Sequence, residues 1–447
     1  MKISQFSFGL LAWITVLFSS TAFAGEKIMV DKEEYEQLKA AVKFLMSERE
    51  ANQQAVQDAK KTAEDAAASA QAASETAEEA TEVAEAAAEA AESPILEGLA
   101  NVSIGGYGEV HYNNYKADDS SSTSFSNTNL GNSDDEFDEF DIHRFVLFFG
   151  YQFTENLRFY SEIEIEHGGV ENDGDPLDGE LEIEQAFVEW DFADNSSILA
   201  GVFLLPVGIM NETHEPDTFY GVERNNVEAI ITPATWWAVG SKLTHRFDNG
   251  FMLEGAIHSG LRIPTMGSSA FRVRSGRQKA SRADGSHLAY TGAATYTGIQ
   301  GLEVGATIQL QDDASQESGD GLDDGLLWAG HIAYDGRIGN VGAGLRAYYA
   351  EWDFDGDAVE AADDDKQKGW YIEPSIRPFE NIGFFYRYED VEGARDRDEF
   401  TQWNLGFNYW LHENVVLKAD YQDREHDVDS EEIRDFDGYN IGVGWSF

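Results

Sequence analysis

Residues Tyr439-Asn-Ile-Gly-Val-Gly-Trp-Ser-Phe447 close the chain, and their reading decides the fold. Tyr439, Ile441, Val443, Trp445 and Phe447 are apolar; Asn440, Gly442, Gly444 and Ser446 between them are small or polar. A period of two places the apolar set on one face of a strand and the rest on the other. A soluble sandwich can alternate in the same way. An exposed edge strand that ends on an aromatic, however, invites pairing with other chains. A closed barrel in a membrane has no edge, because its last strand pairs with its first. The pattern therefore predicts a transmembrane β-barrel.

Composition agrees with many membrane strands. Gly (42) and aromatics (13%) are abundant, whereas Pro (8) is scarce. After the start of the chain no apolar run reaches the roughly 20 residues of a membrane helix. Cys is absent, so thiolate catalysis and Cys-based metal sites are excluded. A formal charge of −52 argues against nucleic-acid binding, which needs a basic face.

Residues 1–24 read as a secretory signal peptide. Lys2 supplies the positive start, Phe8 to Phe18 the apolar centre, and Ala22-Phe23-Ala24 the small-x-small cleavage site. Residues 25–93 read as a periplasmic Ala-rich coiled coil. No Gly or Pro interrupts 31–93, and a heptad with position a at Tyr35 runs through Leu38, Val42, Leu45, Val56 and then Ala at nearly every seam position. Arg49 and Asn52 break that seam and can fix register. At 1.5 Å per residue the segment spans on the order of 90 Å. A single solvated helix or a spacer is the alternative. Ser93-Pro94 ends it, and 94–447 is expected to form the barrel.

From Asn101 alternating segments are joined by two kinds of connection in strict turn. The short kind comprises Thr154-Glu155-Asn156, Ala193-Asp194-Asn195, Asp248-Asn249-Gly250, Gly298-Ile299-Gln300, Asp335-Gly336-Arg337, Phe379-Glu380-Asn381 and His412-Glu413-Asn414. The long kind is mostly acidic and falls near 117–138, 168–180, 206–235, 261–286, 312–324, 353–367, 391–399 and 427–436. Short periplasmic turns and long outer loops are what such a barrel requires, and these connections join 16 antiparallel strands. A charge facing lipid near the midplane costs about 2–4 kcal/mol. The charged faces must therefore line water, which puts Arg158, Glu162, Glu164, Glu166, Arg346, Arg377, Arg387, Lys418 and Arg424 on the pore wall. Trp236, Trp237, Trp352, Trp370, Trp403, Trp410 and Trp445 are expected in aromatic girdles. The segments 140–153 and 181–192 fit no single phase, which points to bulges or to contact with a neighbouring subunit.

A sixteen-strand barrel leaves an aqueous channel that something must narrow. Two loops are candidates. The one at 206–236 is less acidic and more apolar than the others, as a loop packed in the lumen should be. The one at 261–286 carries Arg262, Arg272, Arg274, Arg277, Lys279 and Arg282 in an otherwise acidic chain. Rings of Arg and Lys select anions in pores. The same side chains could instead form one side of a general transverse field, or pair with loop acids or lipid phosphates.

With these features the chain resembles the phosphate-selective porin O and P family. The resemblance rests on the order of signal peptide, coiled coil and barrel, on Phe203-Leu-Leu-Pro-Val-Gly-Ile-Met210, and on Phe219-Tyr-Gly-Val-Glu223-Arg224. It implies a homotrimer and passive uptake of phosphate-like anions through Arg- and Lys-lined constrictions, with Glu223 and Arg224 carried over by motif. Tyr439, Trp445 and Phe447 likewise resemble the signal that outer-membrane proteins present to their assembly machinery. The expected partners are outer-membrane lipids and lipopolysaccharide, that machinery, and peptidoglycan if the stalk is a cell-wall tether. The inward acids Glu162, Glu164 and Glu166 depart from the family pattern and favour a general or weakly cation-preferring porin.

No enzyme is expected. His143, His167, His214 and His258 are scattered, with no Ser-His-acid spacing. Asp353-Phe-Asp355-Gly-Asp357 and Asp363-Asp-Asp365 lack the spacing of a calcium hand, so no cofactor and no metal is assigned.

Overall fold

A computed structural model describes residues 32–90, 100–117, 136–169, 179–317, 319–427 and 435–447. The expected signal peptide, Ser93-Pro94 and parts of the loops at 117–138, 168–180 and 427–436 lie outside these residues. The chain divides into two units, Met1–Leu96 and Glu97–Phe447.

In the first unit helix α1 (Lys32–Ala90) runs for 59 residues. It has no Gly or Pro, and Ala, Glu, Lys and Gln are strong helix formers. Val42, Leu45 and Val56, all seam positions of the heptad, stand exposed.

In the second unit sixteen strands close into one antiparallel barrel, each beside its neighbour in sequence and β1 beside β16. They are β1 (Val102–Ala117), β2 (Glu136–Thr154), β3 (Leu157–Glu166), β4 (Leu181–Ala193), β5 (Ser196–Leu204), β6 (Trp237–Arg246), β7 (Phe251–Ser259) and β8 (Leu288–Ile299). The second half comprises β9 (Leu302–Gln311), β10 (Gly325–Ile338), β11 (Val341–Phe354), β12 (Lys366–Phe379), β13 (Ile382–Glu392), β14 (Glu399–His412), β15 (Val415–His426) and β16 (Phe436–Ser446).

The seam shows why the last residues matter. Tyr107 pairs with Ser446 and Ala117 with Phe436. Beyond them the Phe447 amide donates to Gly106 O (2.9 Å) and the Gly106 amide to Phe447 O (3.0 Å). Glycine at 106 is required there, since a Cβ would stand 3.1 Å from the Phe447 ring and 2.2 Å from Val146 O. Tyr439, Ile441 and Phe447 face outward, and Asn440 is fully buried on the lumen side. Deleting Phe447 removes both closing bonds, worth about 2 kcal/mol at roughly 1 kcal/mol each. The folded band of the deletion variant should therefore be lost at a lower temperature than that of wild type on heat-stepped gels. An unchanged transition would contradict a seam role for Phe447.

The two segments without a clean phase each contain a bulge. Opposite the single Val110 of β1, β2 carries two residues, Ile142 and His143; opposite the Glu162–Ile163 step of β3, β4 carries the extra residue Glu184. Each bulge re-aims side chains. His143 and Arg144 both turn inward, as do Glu184 and Gln185, toward His111, Glu109, Thr235 and Glu162.

Two expectations need correction. Asp335-Gly336-Arg337 is not a turn. β10 continues to Ile338, and Gly339 (φ 65°) with Asn340 makes the reversal, so an Asp-Gly pair sits in a regular strand. Trp236, Trp237 and Trp352 do not belong to a girdle: they are buried inside the barrel, and Trp410 packs inward against Tyr220. Strand-end position alone does not tell a girdle residue from one that packs against a loop in the lumen. Trp370 faces outward with Trp190 and Trp328.

The main apolar core lies within the lumen. Leu205, Val207, Val227, Ile231 and Trp236 of the loop 205–236 pack with Leu261, Ile263, Phe271 and Val273 of the loop 260–287. Both sets rest on Tyr348, Trp352, Tyr371 and Phe400 of the wall.

Candidate pore constriction

The loop 205–236 is fastened first to itself. Asn211 Nδ2 donates to Leu205 O (2.7 Å) and Trp236 O (2.9 Å), and its Oδ1 accepts from the Trp236 amide (2.5 Å), so one side chain ties the loop's two ends. Within the loop, helix α2 (Asn226–Ile230) begins at Asn225, whose side chain accepts from the Glu228 amide (2.8 Å). Glu228 is buried. Its Oε1 accepts from the Ile209 (2.6 Å) and Met210 (2.7 Å) amides, and its Oε2 accepts from Asn225 Nδ2 (2.9 Å) and the Tyr371 hydroxyl (3.0 Å). Gly208 (φ 72°) makes room for the carboxylate; a Cβ would lie 2.2 Å from Glu228 Oε1.

Most of the sequence-chosen wall cations hold this loop or a neighbouring acid. Arg346 donates to Thr218 O (2.6 Å), Arg387 to Glu223 O (3.2 Å), and Arg424 to Asn226 Oδ1 (2.8 Å). Lys418 Nζ lies 3.4 Å from the centre of the Phe219 ring, and the Arg377 guanidinium 4.3 Å from that of Trp410. Arg158 pairs with Glu189 (2.8 Å) and Asp191 (2.5 Å). On β2, Arg144 binds Glu109 (2.6 Å) and His214 O (2.6 Å). A cavity of about 350 Å³ at the short-turn end is lined by Tyr220, Glu303, Arg346, Glu373 and Arg377.

The basic loop divides into paired and unpaired cations. Arg262 meets Glu317 (2.5 Å), Arg272 meets Asp398 (2.9 Å), and Lys279 meets Glu180 and Glu182 (2.6 Å to the latter). Arg282 is exposed and makes no hydrogen bond among the described residues. Arg274 donates to Ala229 O (2.7 Å) and Ala234 O (3.0 Å), and Arg277 to Thr235 O (2.5 Å) with its guanidinium 5.7 Å from the Trp237 ring centre. Neither forms an ion pair with a carboxylate among the described residues. Burial, then Arg277 and Arg224, push Arg274 well below the usual guanidinium range; burial also lowers Arg277, against Glu182, Glu184 and Glu166. A guanidinium stays charged regardless, and neither group is neutralised by a directly bonded carboxylate among the described residues. Arg224 is half-buried and makes no hydrogen bond or ion pair among the described residues. On the adjoining β3–β4 wall, carboxylate oxygens of Glu164, Glu166 and Glu182 lie within 4.8 Å of one another.

Glu223 reaches the wall: His111 Nδ1 and Asn113 Nδ2 each stand 3.0 Å from its Oε1. Burial would raise its carboxyl, but His111 and its neighbours hold it at about 2. His214 lies between Glu162 (3.7 Å) and Glu184 (3.6 Å); burial would lower its imidazole, and the two acids raise it to about 9.

Glu109, His111, Arg144, Glu184 and Glu228 carry much of this network, and sequence reading passed over them. Most of their partners lie tens to hundreds of residues away. A local signal existed for Glu228, since Asn225-Asn-Val-Glu228 has the spacing of a helix-capping box.

A closed barrel with an apolar outer face, a charged inner face and a loop folded across its lumen defines a porin-like outer-membrane channel. Residues 262–429 match the family described as Gram-negative porin. An uncharacterized protein of Aquifex aeolicus (strain VF5) is 30% identical over 394 residues, spanning 79% of this chain and 82% of that protein. The chain belongs to the same family as this Aquifex protein, and its residues 262–429 carry the Gram-negative porin match. Among solved structures, OmpF of Salmonella typhi in complex with daunomycin is similar at a TM-score of 0.50 and 15% identity, covering 77% of this chain and 97% of that one. An anion-selective porin from Comamonas acidovorans aligns at a TM-score of 0.49 and 11% identity, covering 77% and 99%. Likeness at these identities speaks to the fold alone.

Proposed function

We propose that this channel passes small hydrophilic solutes by passive diffusion across a transverse field, and that anions such as phosphate are favoured at Arg224, Arg274 and Arg277. The observation that carries the reading is that these half-buried cations have no carboxylate at ion-pair distance among the described residues, whereas Arg262, Arg272 and Lys279 are paired with acids of the loops and of β4. An oriented guanidinium with no bonded carboxylate attracts phosphate and carboxylate groups. Glu166 and Glu182 on the β3–β4 wall favour the second reading, a general or weakly cation-preferring pore. Reversal potential under a salt gradient separates the two. Anion preference in wild type that falls severalfold when Arg224, Arg274 and Arg277 are changed together to Ala supports the first. Cation preference in both proteins overturns it. The same reading takes the assembly as a homotrimer and α1 as its coiled-coil stalk, for which the exposed Val42, Leu45 and Val56 seam is the support.

A further inference from the structure

Where the loop 205–236 meets the β3–β4 wall, three acid and imidazole side chains form a buried group. Glu162 is 2% exposed, Glu184 0% and His214 3%. His214 Nε2 stands 3.7 Å from Glu162 Oε1 and 3.6 Å from Glu184 Oε2. Neither His214 Nε2 nor Glu184 Oε2 has a hydrogen-bond partner. An imidazolium between two carboxylates closes to about 2.7–2.9 Å, so an ion pair alone explains these separations poorly. A tetrahedral cation with bonds of about 2.0–2.2 Å sets its ligand atoms about 3.3–3.6 Å apart.

The outward atom of each residue is already held. His214 Nδ1 is 3.1 Å from Asn211 O, so Nδ1 donates there and Nε2 is the nitrogen left facing the acids, free to exchange its proton for a cation. The Thr235 hydroxyl donates to Glu184 Oε1 (2.7 Å), and Gln185 Nε2 donates to Glu162 Oε2 (2.6 Å). Outer partners of this kind orient the ligands of metal sites. Glu164, buried with Oε1 unpartnered, links this group to the half-buried Glu166 and Glu182, a run of carboxylates by which a cation can enter.

We propose that Glu162, Glu184 and His214 bind a borderline divalent cation of the zinc type, which clips the constriction loop to the barrel wall. One imidazole with two carboxylates suits zinc better than calcium or magnesium, which take oxygen ligands. The bulge at Glu184 is what brings that carboxylate to the loop. The rest of β4 keeps its register on either side.

The test is the metal content of the full-length protein, purified from outer membranes in detergent without chelator and measured by mass spectrometry. The expected result is about one zinc per chain. It should be lost in Glu184→Gln and in His214→Gln, and kept in His143→Asn, which touches the separate His111–His143 stack. Glu162→Gln serves as the alternative variant if His214→Gln does not fold. After chelation, Co²⁺ added to folded wild type should give the visible absorption of a four-coordinate site, absent in Glu184→Gln. Thr235→Val, which removes an outer partner, should weaken Zn²⁺ binding about 10–100-fold. Wild type that carries no metal and, once chelated, takes up neither Zn²⁺ nor Co²⁺ while still folded would overturn the proposal and leave His214 as an ion-pair partner. Loss of metal in His143→Asn with retention in Glu184→Gln would overturn it equally.

Discussion

Glu228→Gln is expected to enlarge the single-channel conductance and make it noisy while leaving the barrel folded. The carboxylate accepts four hydrogen bonds, from the Ile209 and Met210 amides, Asn225 and Tyr371. Gln replaces one acceptor oxygen with an amino group, so two buried donors face another donor. Each unsatisfied group costs about 1–3 kcal/mol, so the loop loses roughly 2–6 kcal/mol of local stability. None of the strand ladders involves this side chain, and the thermal transition of the barrel should move little. Tyr371→Phe removes a single donor and should give a smaller change of the same sign. A Glu228→Gln channel with wild-type conductance and noise would show that the loop is held by its apolar contacts alone.

Arg144→Ala should act on stability more than on conduction. The guanidinium is buried and bridges Glu109, the Tyr107 hydroxyl (3.1 Å) and His214 O. Its loss strands the Glu109 carboxylate, whose Oε2 already lacks a hydrogen bond and stands 3.2 Å from His111 Nε2. Breaking a buried pair from one side costs about 3–5 kcal/mol. Adding Glu109→Gln in the same chain removes the stranded charge and should recover part of that loss. Thermal unfolding of the two single variants and the double variant gives the coupling. A loss below about 1 kcal/mol for Arg144→Ala would mean that water reaches Glu109 and the pair is not buried.

The barrel was legible because a membrane strand must obey period two on its lipid face, and short and long connections repeat around the ring. The last strand shows this most plainly, with Asn440 buried and Ile441 exposed beside it. The bulges were legible only as failures of phase at 140–153 and 181–192; their effect, turning His143 with Arg144 and Glu184 with Gln185 to one face, needed the paired register. The loop 205–236 declared itself by its apolar composition. Which cations it leaves free did not, because Arg262, Arg272, Arg274 and Arg277 look alike in sequence. Their difference lies in whether Glu317, Asp398 or a loop carbonyl stands opposite, and no spacing rule encodes that. The tryptophans misled for a related reason: Trp236 and Trp352 end strands as girdle residues do, but a loop folded inward covers them.

Single-channel recording of the purified protein in planar bilayers tests the central claim most directly. A water-filled passage narrowed by a latched loop predicts discrete ohmic steps for wild type and larger ones for Glu228→Gln. A folded barrel that gives no steps at any applied voltage, in wild type and variant alike, would contradict it.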